Sequence, residues 1–562
     1  MPDCPENNFC TLSSIQNQTS ATLSDGNLKA VGTSANWDNL QSTFAVTSGK
    51  WYWEVKATSV SETNSFVAGI HETGFPAQSQ YWFNGSYTTS AYGTAFGVLD
   101  PDNKVTNGSA TAFTLGLATN DIIQFRLNLD DNELSVSIDG SDKGKIYDIT
   151  ANIEYTPALS LYNTSSATMN FGQDSTFAGT ETAGGNADEN GNGDFAYAPP
   201  SGYLALCTAN LPEPTISPNA NTQADDYFNT ATYSGNSSTQ NITSVGFQPD
   251  WVWIKSRSNA SNNYVTDVVR GTSKGLQTNI SNAEVTNTNV ITSFNSDGFS
   301  LGDDATANVA NITGRTYVSW NWKAGGTAVS NTDGSITSSV SANTDAGFSI
   351  VSYTSNNSAG ATVGHGLGVA PQMVIIKKRS ASERWFVWHT GDSTEYMYLN
   401  ETFAGQANLD DRFGNNTTVT LPSSTVLTLG TNNDVNGTSG STYIAYCFAE
   451  IEGYSKFGSY TGNGSTDGTF VYTGFRPAFV LVKDTGAADW DIQDTTRSPF
   501  NPSVVRLWAN LSSAEVTSTY DIDFLSNGFK LRSTNPDTNS NGDTKIYMAF
   551  ADGQPFKYAN AR

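Results

Sequence analysis

Charge is scarce in this sequence, and positive charge most of all. Only 14% of the 562 residues are Asp, Glu, Lys or Arg, and 53 acidic residues outnumber 28 basic ones, for a formal net charge of −25. Surfaces that bind nucleic acid concentrate lysine and arginine against the phosphates, so this balance argues against nucleic acid as a partner. We expect a surface solvated mainly by neutral polar side chains.

Residues that build metal, disulfide or membrane sites are also rare. The four cysteines form neither a disulfide framework nor a zinc spacing, and the three histidines, His71, His365 and His389, stand in unrelated contexts. No apolar run reaches the roughly 18 residues that a membrane-spanning helix needs. The first residues, MPDCPENNFC, lack the basic and apolar regions of a signal peptide. The composition predicts a protein without membrane insertion, made in a cytoplasm and not exported by the common route.

Helical patterning is nearly absent as well. Short alternating or apolar runs are separated by Gly, Asn, Asp and Ser clusters about every 8 to 12 residues, a spacing typical of β-sandwiches and barrels. No sustained helical stripe with capping residues interrupts them. The sequence therefore predicts an all-β chain.

A nine-residue phrase occurs three times. It reads FQPDWVWIK at 247–255, VAPQMVIIK at 369–377 and FRPAFVLVK at 475–483. Each copy has a proline, one variable residue, an apolar run and a closing lysine. Such a run fits a strand that is buried on both faces, with proline confined to the strand entry because it has no N–H for the ladder.

The text around the phrase repeats too. SFNSDGFSLG near Phe299 matches DFLSNGFKLR near Phe529, and NISNAEVT from Asn279 matches NLSSAEVT from Asn510, whereas the middle copy lacks both. The prolines are 122 and 106 residues apart, too far for solenoid repeats, so each copy is predicted to be a β-sandwich with its own core. The predicted boundaries are 1–30 for an extended arm or first strand, 31–211 for an N-terminal domain, and 212–340, 341–453 and 454–562 for the three repeats.

The N-terminal domain carries a different set of motifs. GKWYWEVKA from Gly49, FVAGI, the hairpin DIIQFRLNLDDNELSVSIDG from Asp121, TPALSL and a closing NFGQ follow one another in the sequence. In that order they resemble the strands of SPRY domains, a concanavalin-like β-sandwich. The resemblance covers residues 30 to 175 and implies a non-catalytic module that binds other macromolecules through variable loops. That fold serves many ligands, so it does not identify this one.

A second resemblance covers most of the chain. GYLALCTANLP from Gly202, the three repeats and the final PFKYANAR together resemble virion proteins of marine tailed bacteriophages, in which a SPRY-like domain precedes such repeats in tail-fibre-like products. This resemblance implies a fibre, spike or decoration protein that contacts a host surface. Because phage fibres are usually trimeric, it also implies a homotrimer, although no coiled-coil heptads specify one.

Motifs that suggest catalysis or metal binding have plainer interpretations. GTSKG at 271–275 matches the nucleophile motif G-x-S-x-G, but no strand-to-helix turn is predicted around Ser273. The acid pairs at 130–131, 303–304 and 410–411 fall in turns and do not indicate the separated carboxylates of a glycosidase. DENGNGD at 188–194 and NPDTNSNGD at 535–543 are spaced like calcium loops without the closing glutamate, so flexible loops are favoured and calcium stays an alternative. We predict no enzyme and no cofactor.

One Asp–Arg pair recurs in the outer repeats. Asp267 with Arg270 and Asp494 with Arg497 follow their prolines at 18 and 17 residues, so the pair occupies one place in the repeated fold. Arginine binds carboxylates bidentately, so the pair is either an old ligand clamp or, as favoured, an internal ion pair that ties a loop to the sheet. Glu284 and Glu515, in the shared AEVT text, carry the same two interpretations.

Aromatic residues supply the candidates for recognition. Tyr81, Trp82 and Tyr87 lie in a turn-rich loop at the position where SPRY domains vary for binding. Trp385 and Trp388 alternate in RWFVWH and are predicted as a further candidate pair if they face outward. Flat aromatic rings suit both sugars and protein hot spots, although packing in the core or loop is the competing interpretation for each.

These observations together predict a non-enzymatic phage virion protein that engages a host surface glycan or protein. Repeated copies would multiply weak contacts by avidity. Two alternatives come from other classes: a capsid decoration or tail connector that binds other virion proteins, and, less favoured, a polysaccharide depolymerase.

Overall fold

The structure is a computed structural model that describes residues 7–15, 20–75, 93–212, 215–216 and 222–553. Contacts divide the chain into two compact units. Unit 1 comprises Met1–Glu213 with Thr469–Gly474, and unit 2 comprises Pro214–Gly468 with Phe475–Arg562. Strands dominate both units, which confirms the all-β prediction.

Unit 1 contains two sheets that are antiparallel except for one short parallel strand. Their strands in chain order are β1 (Thr22–Ser24), β2 (Lys29–Val31), β3 (Ser34–Gln41), β4 (Lys50–Ser59), β5 (Phe66–Glu72), β6 (Ala95–Leu99), β7 (Asn103–Thr106), β8 (Ser109–Ala112), β9 (Ile122–Asn128), β10 (Glu133–Ile138), β11 (Ser141–Asp148), β12 (Tyr155–Asn163), β13 (Ser166–Asn170) and β14 (Leu204–Ala205). One sheet has the order β1-β2-β13-β4-β9-β10-β11, with β14 beside β4, and the other has the order β3-β12-β5-β6-β7-β8. The predicted DIIQFRLNLDDNELSVSIDG hairpin is the β9–β10 pair.

The main apolar core of unit 1 lies between these two sheets, and a smaller buried cluster includes Val67, Leu99 and Val105 of the second sheet. Trp53 of β4 stacks on Phe125 of β9 with ring centroids 5.1 Å apart, and residues of β5 and β12 complete the same buried cluster. Burial alternates clearly along β10, whereas β4, β5 and β12 are buried at almost every residue. Both sheets contribute side chains to the shared core, as a sandwich requires. Unit 1 is therefore a β-sandwich.

The stretch predicted as an N-terminal arm belongs to this sandwich. Phe9 is buried and pairs with Cys207, Leu12 donates its N–H to Asn27, and β1 and β2 extend the first sheet. The polar residues between them hid the few apolar anchors in the sequence. The boundary predicted at residue 30 therefore falls inside β2 of the sandwich rather than at its edge.

The Gly/Asn-rich segment at 188–194 is held by its own hydrogen bonds. Asp188 is buried, and its carboxylate accepts N–H groups of Asn190, Asn192 and Ala205 and the amide of Asn210, at 2.7–3.0 Å. These four donors occupy the oxygens that a calcium ion would need. The segment is thus an ordered Asx-type turn, not the flexible loop that the composition predicted.

Unit 2 contains the three repeats. Its strands in chain order are β15 (Phe228–Ser234), β16 (Gln240–Ile242), β17 (Trp251–Ser256), β18 (Tyr264–Asp267), β19 (Lys274–Gly275), β20 (Val285–Thr286), β21 (Ile291–Asn295), β22 (Gly298–Leu301), β23 (Thr316–Trp322), β24 (Val329–Asn331), β25 (Ser338–Asn343), β26 (Phe348–Thr354), β27 (Ala361–Gly364), β28 (Met373–Lys378), β29 (Trp385–His389), β30 (Asp392–Tyr398), β31 (Val426–Leu429), β32 (Thr442–Phe448), β33 (Ser455–Thr461), β35 (Pro477–Asp484), β36 (Trp490–Asp494), β37 (Ser503–Trp508), β38 (Val516–Leu525), β39 (Gly528–Leu531) and β40 (Thr544–Ala551). β34 (Phe470–Tyr472) falls in the short segment that is grouped with unit 1. Short 3₁₀ turns occur at Ala224–Asp226 and Leu409–Asp411, and one turn of α-helix at Pro536–Asn539.

Each repeat is built on the same four strands. The order is β15-β23-β17-β18 in repeat 1, β26-β32-β28-β29 in repeat 2 and β33-β40-β35-β36 in repeat 3. The repeated phrase forms β17, β28 and β35, which are almost wholly buried, and each proline stands at the strand entry as predicted. We use repeat 1 for β15–β23, repeat 2 for β24–β32 and repeat 3 for β33–β40.

One predicted boundary is displaced. The line drawn between residues 340 and 341 cuts through β25, whose partner strands β24 and β26 belong to the sheet of repeat 2. Repeat 2 therefore begins at Val329, before the predicted boundary. The sequence TAVSNTDGSITSSV could not be recognised as part of repeat 2 by comparing the copies, because neither flanking repeat has a counterpart of this hairpin.

Candidate functional site

Three of the predicted recognition residues cannot be placed. Tyr81, Trp82 and Tyr87 lie in 76–92, outside the described residues. Their role in receptor binding stays a prediction from the SPRY resemblance.

Trp385 does not face outward, which corrects its prediction as a recognition residue. Its side chain is fully buried at the start of β29. The indole Nε1–H points into repeat 1, where the carbonyls of Gln277 and Ile280 accept it at 3.0 and 3.2 Å. Buried tryptophan N–H groups need such partners, and here the partners belong to a different repeat.

Trp388 is also buried, so its prediction is likewise wrong. It packs edge-on against Phe413, and its Nε1–H donates to the carbonyl of Ser393 at 3.3 Å within repeat 2. The alternating pattern of RWFVWH suggested one inner and one outer face. In fact every residue of β29 is buried, because repeats 1 and 3 both contact the face that an isolated sandwich would leave exposed.

The contact made by Trp385 recurs around unit 2. Trp490 holds the equivalent position in repeat 3 and donates to the carbonyl of Tyr398 in repeat 2 at 2.9 Å. Asn263 holds it in repeat 1, and its amide donates to the carbonyl of Leu511 in repeat 3 at 3.1 Å. Repeat 2 thus contacts repeat 1, repeat 3 contacts repeat 2, and repeat 1 contacts repeat 3. The three repeats close a ring, whose contacts we name junctions 1–2, 2–3 and 3–1.

The first recurring ion pair lies in junction 1–2. Asp267 and Arg270 have fully buried side chains, and the guanidinium Nε donates to the carboxylate at 2.6 Å. The hydroxyl of Tyr446, in repeat 2, donates to the same carboxylate at 2.8 Å. Burial opposes the charge on Arg270, but Asp267 outweighs it and raises the pKa of the guanidinium. The pair therefore supports a loop and a neighbouring repeat together.

The second pair does the same in junction 3–1. Asp494 and Arg497 are fully buried and joined at 2.5 Å, and Trp320 of repeat 1 donates its indole N–H to Asp494 at 3.0 Å. These contacts are those of the favoured internal ion pair, extended across a junction. They leave no side-chain oxygen of Asp494 facing an open cleft, so the clamp interpretation has no site here.

A histidine takes this position in junction 2–3. The register pairs Met373 with His389 as it pairs Trp251 with Asp267 and Phe479 with Asp494. His389 Nε2 donates to the carbonyl of Tyr547 in repeat 3 at 3.0 Å, while Nδ1 accepts the N–H of Gly391 at 2.9 Å. Burial lowers the pKa of this imidazole to about 4, so it is neutral at pH 7.

A second charged contact closes two of the junctions at their outer edge. Glu284 binds Arg379 of repeat 2, and Glu515 binds Arg257 of repeat 1, both bidentately at 2.8–3.1 Å. Burial raises the pKa of each glutamate, but the arginines outweigh it and the net shift is downward. The shared AEVT text therefore encodes a contact between repeats.

The middle copy retains this segment in a form that sequence comparison missed. NETFAGQ at 400–406 takes the place of NISNAEV, because Asn400 accepts the N–H of Trp385 as Asn279 accepts that of Asn263. Gly405 then donates its N–H to the carbonyl of Thr485 at 2.7 Å, as Glu284 does to Arg379. Only an asparagine and an alanine survive of the shared text, too little to recognise without the structure.

Aromatic rings fill the centre of the ring of repeats. Trp251 stacks on Tyr446 across junction 1–2 with centroids 4.5 Å apart, and Phe448 meets Phe550 across junction 2–3 at 6.2 Å. Phe228 stacks on Phe550 across junction 3–1 at 5.1 Å. Such pairs add about 0.5–1.5 kcal/mol each to the burial of their area.

The closing lysine of each phrase has a structural task. Lys255 donates to the carbonyl of Ser512 at 2.9 Å across junction 3–1, and Lys377 to that of Ser281 at 3.1 Å across junction 1–2. Lys483 donates to carbonyls inside repeat 3. Burial lowers the pKa of all three to about 8. These amines cap backbone carbonyls and are closed to solvent.

The residues whose motifs suggested catalysis or metal binding make structural contacts within loops. Asp304 accepts backbone N–H groups at 309–311, and Asp411 pairs with Arg412. Ser273 lies in a turn before β19, with no helix after it in the described part of repeat 1. Among the residues that the structure describes, no cluster of His, Cys, Asp or Glu is arranged to hold a metal ion, and no helix is long and apolar enough to cross a bilayer.

An open cavity lies in the described part of unit 2. It has a volume of about 410 Å³ and lies in junction 1–2, between the entry of β17, the end of β23 and the β25–β26 turn. Asp250 and Lys323 are the charged residues in its lining. The arrangement offers a carboxylate, an amine and amide groups to a polar ligand, with no nucleophile and base side by side.

Comparison with solved structures gives similarity to SPRY domains. The SPRY domain of human HERC1 is 17% identical and covers 28% of this chain and 96% of that one, at a TM-score of 0.24. The TRIM65 PSpry domain is 16% identical, with 29% and 90% covered and a TM-score of 0.23. Stonustoxin is 16% identical at a TM-score of 0.23, and the match covers 29% of this chain and 27% of that protein. At these TM-scores the similarity adds nothing to what the two sheets of unit 1 show themselves.

The ring of repeats defines a class of protein, a triplicated all-β unit closed by its own junctions. A family profile described as "Domain of unknown function (DUF7483)" matches residues 223–555, which is more than half of the chain and contains the whole ring. The chain therefore belongs to the DUF7483 family. No curated protein matches it.

Proposed function

We propose that this protein is a non-catalytic virion protein of a tailed bacteriophage, of the tail-fibre or spike type, that attaches the particle to a host surface glycan or protein. The observation that carries the proposal is that the reactive side chains of the ring are engaged in structural contacts. Buried carboxylates, arginines, histidine, lysines and indoles are paired with one another or with backbone across the junctions. A ring so closed is a rigid support for contacts at its surface, not a catalytic cleft.

The sequence supplies the rest of the support. GYLALCTANLP, the triplicate phrase and PFKYANAR resemble phage virion products, and the neutral polar composition suits a durable extracellular surface. Attachment would work by avidity: several weak sites on one particle bind far more tightly than one, by about 10² to 10⁴. The proposed location is the virion, and the proposed assembly is a homotrimer. Because each repeat fills the junctions of the others, contacts between chains would use other surfaces.

A capsid decoration or tail connector is the second candidate. Phe500 favours it, because this side chain is 82% exposed on a loop that Asn501 fixes through two hydrogen bonds to Phe524. A rigidly held, exposed aromatic residue is typical of protein interfaces. In this alternative the partners are other virion proteins.

Binding of the purified full-length chain to intact candidate host cells tests the proposal. We expect saturable binding without release of reducing sugar ends, and weaker binding by a Tyr81→Ala/Trp82→Ala variant if the loop of unit 1 makes the contact. Release of reducing ends from host polysaccharide would instead establish a depolymerase. Absence of cell binding, together with binding to purified capsids or tails that Phe500→Ser abolishes, would establish the decoration or connector role.

A further inference from the structure

The cavity in junction 1–2 contains a carboxylate oxygen that the fold does not use. Asp250 is only 2% exposed, and its Oδ2 accepts the N–H of Gly326 at 3.0 Å. Its Oδ1 is buried and makes no hydrogen bond. Burial accordingly raises the pKa of this carboxyl group, although the N–H groups of Gly326 and Ala324, the side chain of Gln248 and the charge of Lys323 all work against the shift. An unpaired buried carboxylate oxygen costs stability, so its retention calls for a reason.

The other two repeats have no carboxylate at the position of Asp250, so the linker that follows a repeat can be held without one. Residue 250 is the variable position after the proline of the phrase, where repeat 2 has Gln372 and repeat 3 has Ala478. Gln372 braces its own linker with a neutral oxygen, which accepts the N–H of Glu450 at 2.8 Å. One neutral acceptor is therefore sufficient in repeat 2. The second oxygen of Asp250 is an addition peculiar to junction 1–2.

Two hydrogen-bond donors share the lining of the cavity with Asp250. Lys323 forms no ion pair, and its Nζ lies 5.4 Å from the ring centroid of Tyr227. Asn343 uses its Oδ1 for the N–H groups of Asp345 and Ala346, both at 3.1 Å, which leaves its NH₂ as a donor. The register aligns Lys323 with Ala449 in repeat 2 and with Ala551 in repeat 3, so neither of the other repeats has a cation at this position.

The wall of the cavity is shaped by a close approach of two backbones. A Cβ atom on Gly325 would lie 2.3 Å from the carbonyl oxygen of Ala342, so glycine is required where the linker passes β25. This contact joins repeat 1 to the extra β24–β25 hairpin of repeat 2. The cavity thus exists because repeat 2 carries a hairpin that the other repeats lack.

We propose that this cavity is a saccharide-binding site. A sugar hydroxyl donates one hydrogen bond and accepts others, so neighbouring hydroxyls match an arrangement of one free carboxylate oxygen beside an ammonium and an amide donor. The site is polar and open, which suits a terminal sugar of a longer chain. The proposal rests on the proposed attachment function and gives it a definite ligand class, a glycan, and a definite place, junction 1–2.

The experiment uses the full-length protein and two probes. Binding of glucose, galactose, mannose and N-acetylglucosamine is measured by calorimetry, and binding to candidate host cells is measured with the same preparations. Asp250→Asn keeps an acceptor for the N–H of Gly326 and removes the free charge, so it should fold normally. Lys323→Gln removes the ammonium group. Gln372→Glu, at the equivalent position of repeat 2, is the matched control.

We expect at least one sugar to bind the wild type, at least tenfold weaker binding by Asp250→Asn and Lys323→Gln, and no change in Gln372→Glu. Equal sugar affinity in the wild type and Asp250→Asn, or no sugar binding at all, would overturn the proposal. So would binding of putrescine in place of sugars, because the cavity would then be an amine site. Cell binding that Asp250→Asn leaves unchanged would place the receptor contact elsewhere and keep the attachment function.

Discussion

Junctions 1–2 and 3–1 are held together by buried charged pairs, whereas junction 2–3 is held together by neutral groups. The first two each place a buried Asp–Arg pair at the centre and a Glu–Arg pair at the edge. Junction 2–3 has a neutral histidine at the centre and a glycine beside Thr485 at the edge, yet Gly405 donates its N–H to Thr485 as Glu284 does to Arg379. The repeated fold thus brings the same positions together in each junction. Those positions can hold either charged or neutral side chains.

The two chemistries differ in what they tolerate. A buried ion pair contributes little net stability because desolvation offsets the attraction, but losing one partner leaves an isolated buried charge. A neutral histidine carries no such penalty until it is protonated. The charged junctions should therefore be the more sensitive to mutation, and the neutral junction should be the one that loses stability as pH falls from 6.5 toward 4. Four experiments test this contrast in order of expected size.

The largest effect is expected from breaking one charged pair. Arg270→Met leaves Asp267 buried without its partner and should lower the stability of unit 2 by about 3–5 kcal/mol, measured by urea unfolding with tryptophan fluorescence. The Asp267→Asn/Arg270→Met double variant should recover more than half of the loss. If the double variant is no more stable than the single one, the isolated charge is not the cause.

The next effect is an acid sensitivity of junction 2–3. His389 has a folded-state pKa of about 4 against an ordinary value of 6.5, so the unfolded chain binds more protons between these pH values. Stability is then fully present above pH 6.5 and is lost as pH falls toward 4, by about 1.4 kcal/mol per pH unit and about 3 kcal/mol in all.

Unfolding free energies of the wild type and His389→Gln between pH 4.5 and 7 measure this effect. The variant should lose the part of the dependence that His389 contributes and still fold, because its amide can donate to the carbonyl of Tyr547. His365→Gln is the control: burial also lowers the pKa of His365, but that residue contacts the Ser423 carbonyl inside repeat 2. Parallel pH profiles for the wild type and His389→Gln would contradict the assignment.

A smaller effect distinguishes the two tryptophans of β29. Trp385→Phe removes the indole donor to the carbonyls of Gln277 and Ile280. The Gln277 carbonyl still accepts the N–H of Ile280, and the unpaired Ile280 carbonyl should cost about 1–3 kcal/mol. Trp388→Phe loses one long hydrogen bond inside repeat 2 and should cost less. Hydrogen exchange should rise at 277–284 in the first variant alone. Equal exchange there in both variants would mean that the indole contact does not hold the junction.

The smallest effect comes from moving charge into the neutral junction. Gly405→Glu with Thr485→Arg would copy the Glu–Arg contact of the other edges, and a partly exposed pair adds at most about 1 kcal/mol. A Cβ at residue 405 would lie 1.8 Å from Glu395 Oε2, so the change is made in a Glu395→Ala background. A gain in the urea midpoint over that background is expected. A loss would show that the edge of junction 2–3 cannot accommodate the pair.

The sequence predicted the strands of each repeat better than the contacts between repeats. The buried phrase identified β17, β28 and β35 because strand burial leaves a local apolar run. Whether Trp385 faces solvent depends on repeat 1, more than a hundred residues earlier in the sequence, so no local pattern could decide it. The recurrence of Asp267 at Asp494 indicated a shared structural role, and only the register shows that His389 belongs to the same set.

Residue 250 shows how a candidate site can hide in a repeat. The position after the proline of the phrase varies, and it holds Asp250, Gln372 and Ala478 in the three repeats. Each junction therefore has a different residue at this position. Positions at which copies agree report on the fold they share. Positions at which they differ are where one copy can acquire a task of its own.

The stacking of Phe228 on Phe550 brings the first strand of repeat 1 against the last strand of repeat 3. A ring whose ends meet has no required starting point, so the chain could be cut in the linker at 323–328 and rejoined across those ends to give a circular permutant with the same ring. Because the three copies are parts of one chain, each copy can also change its sequence independently of the other two. A trimer of one short repeat would carry every substitution at all three junctions, whereas here a histidine, a glycine and a single aspartate have each arisen at one place only.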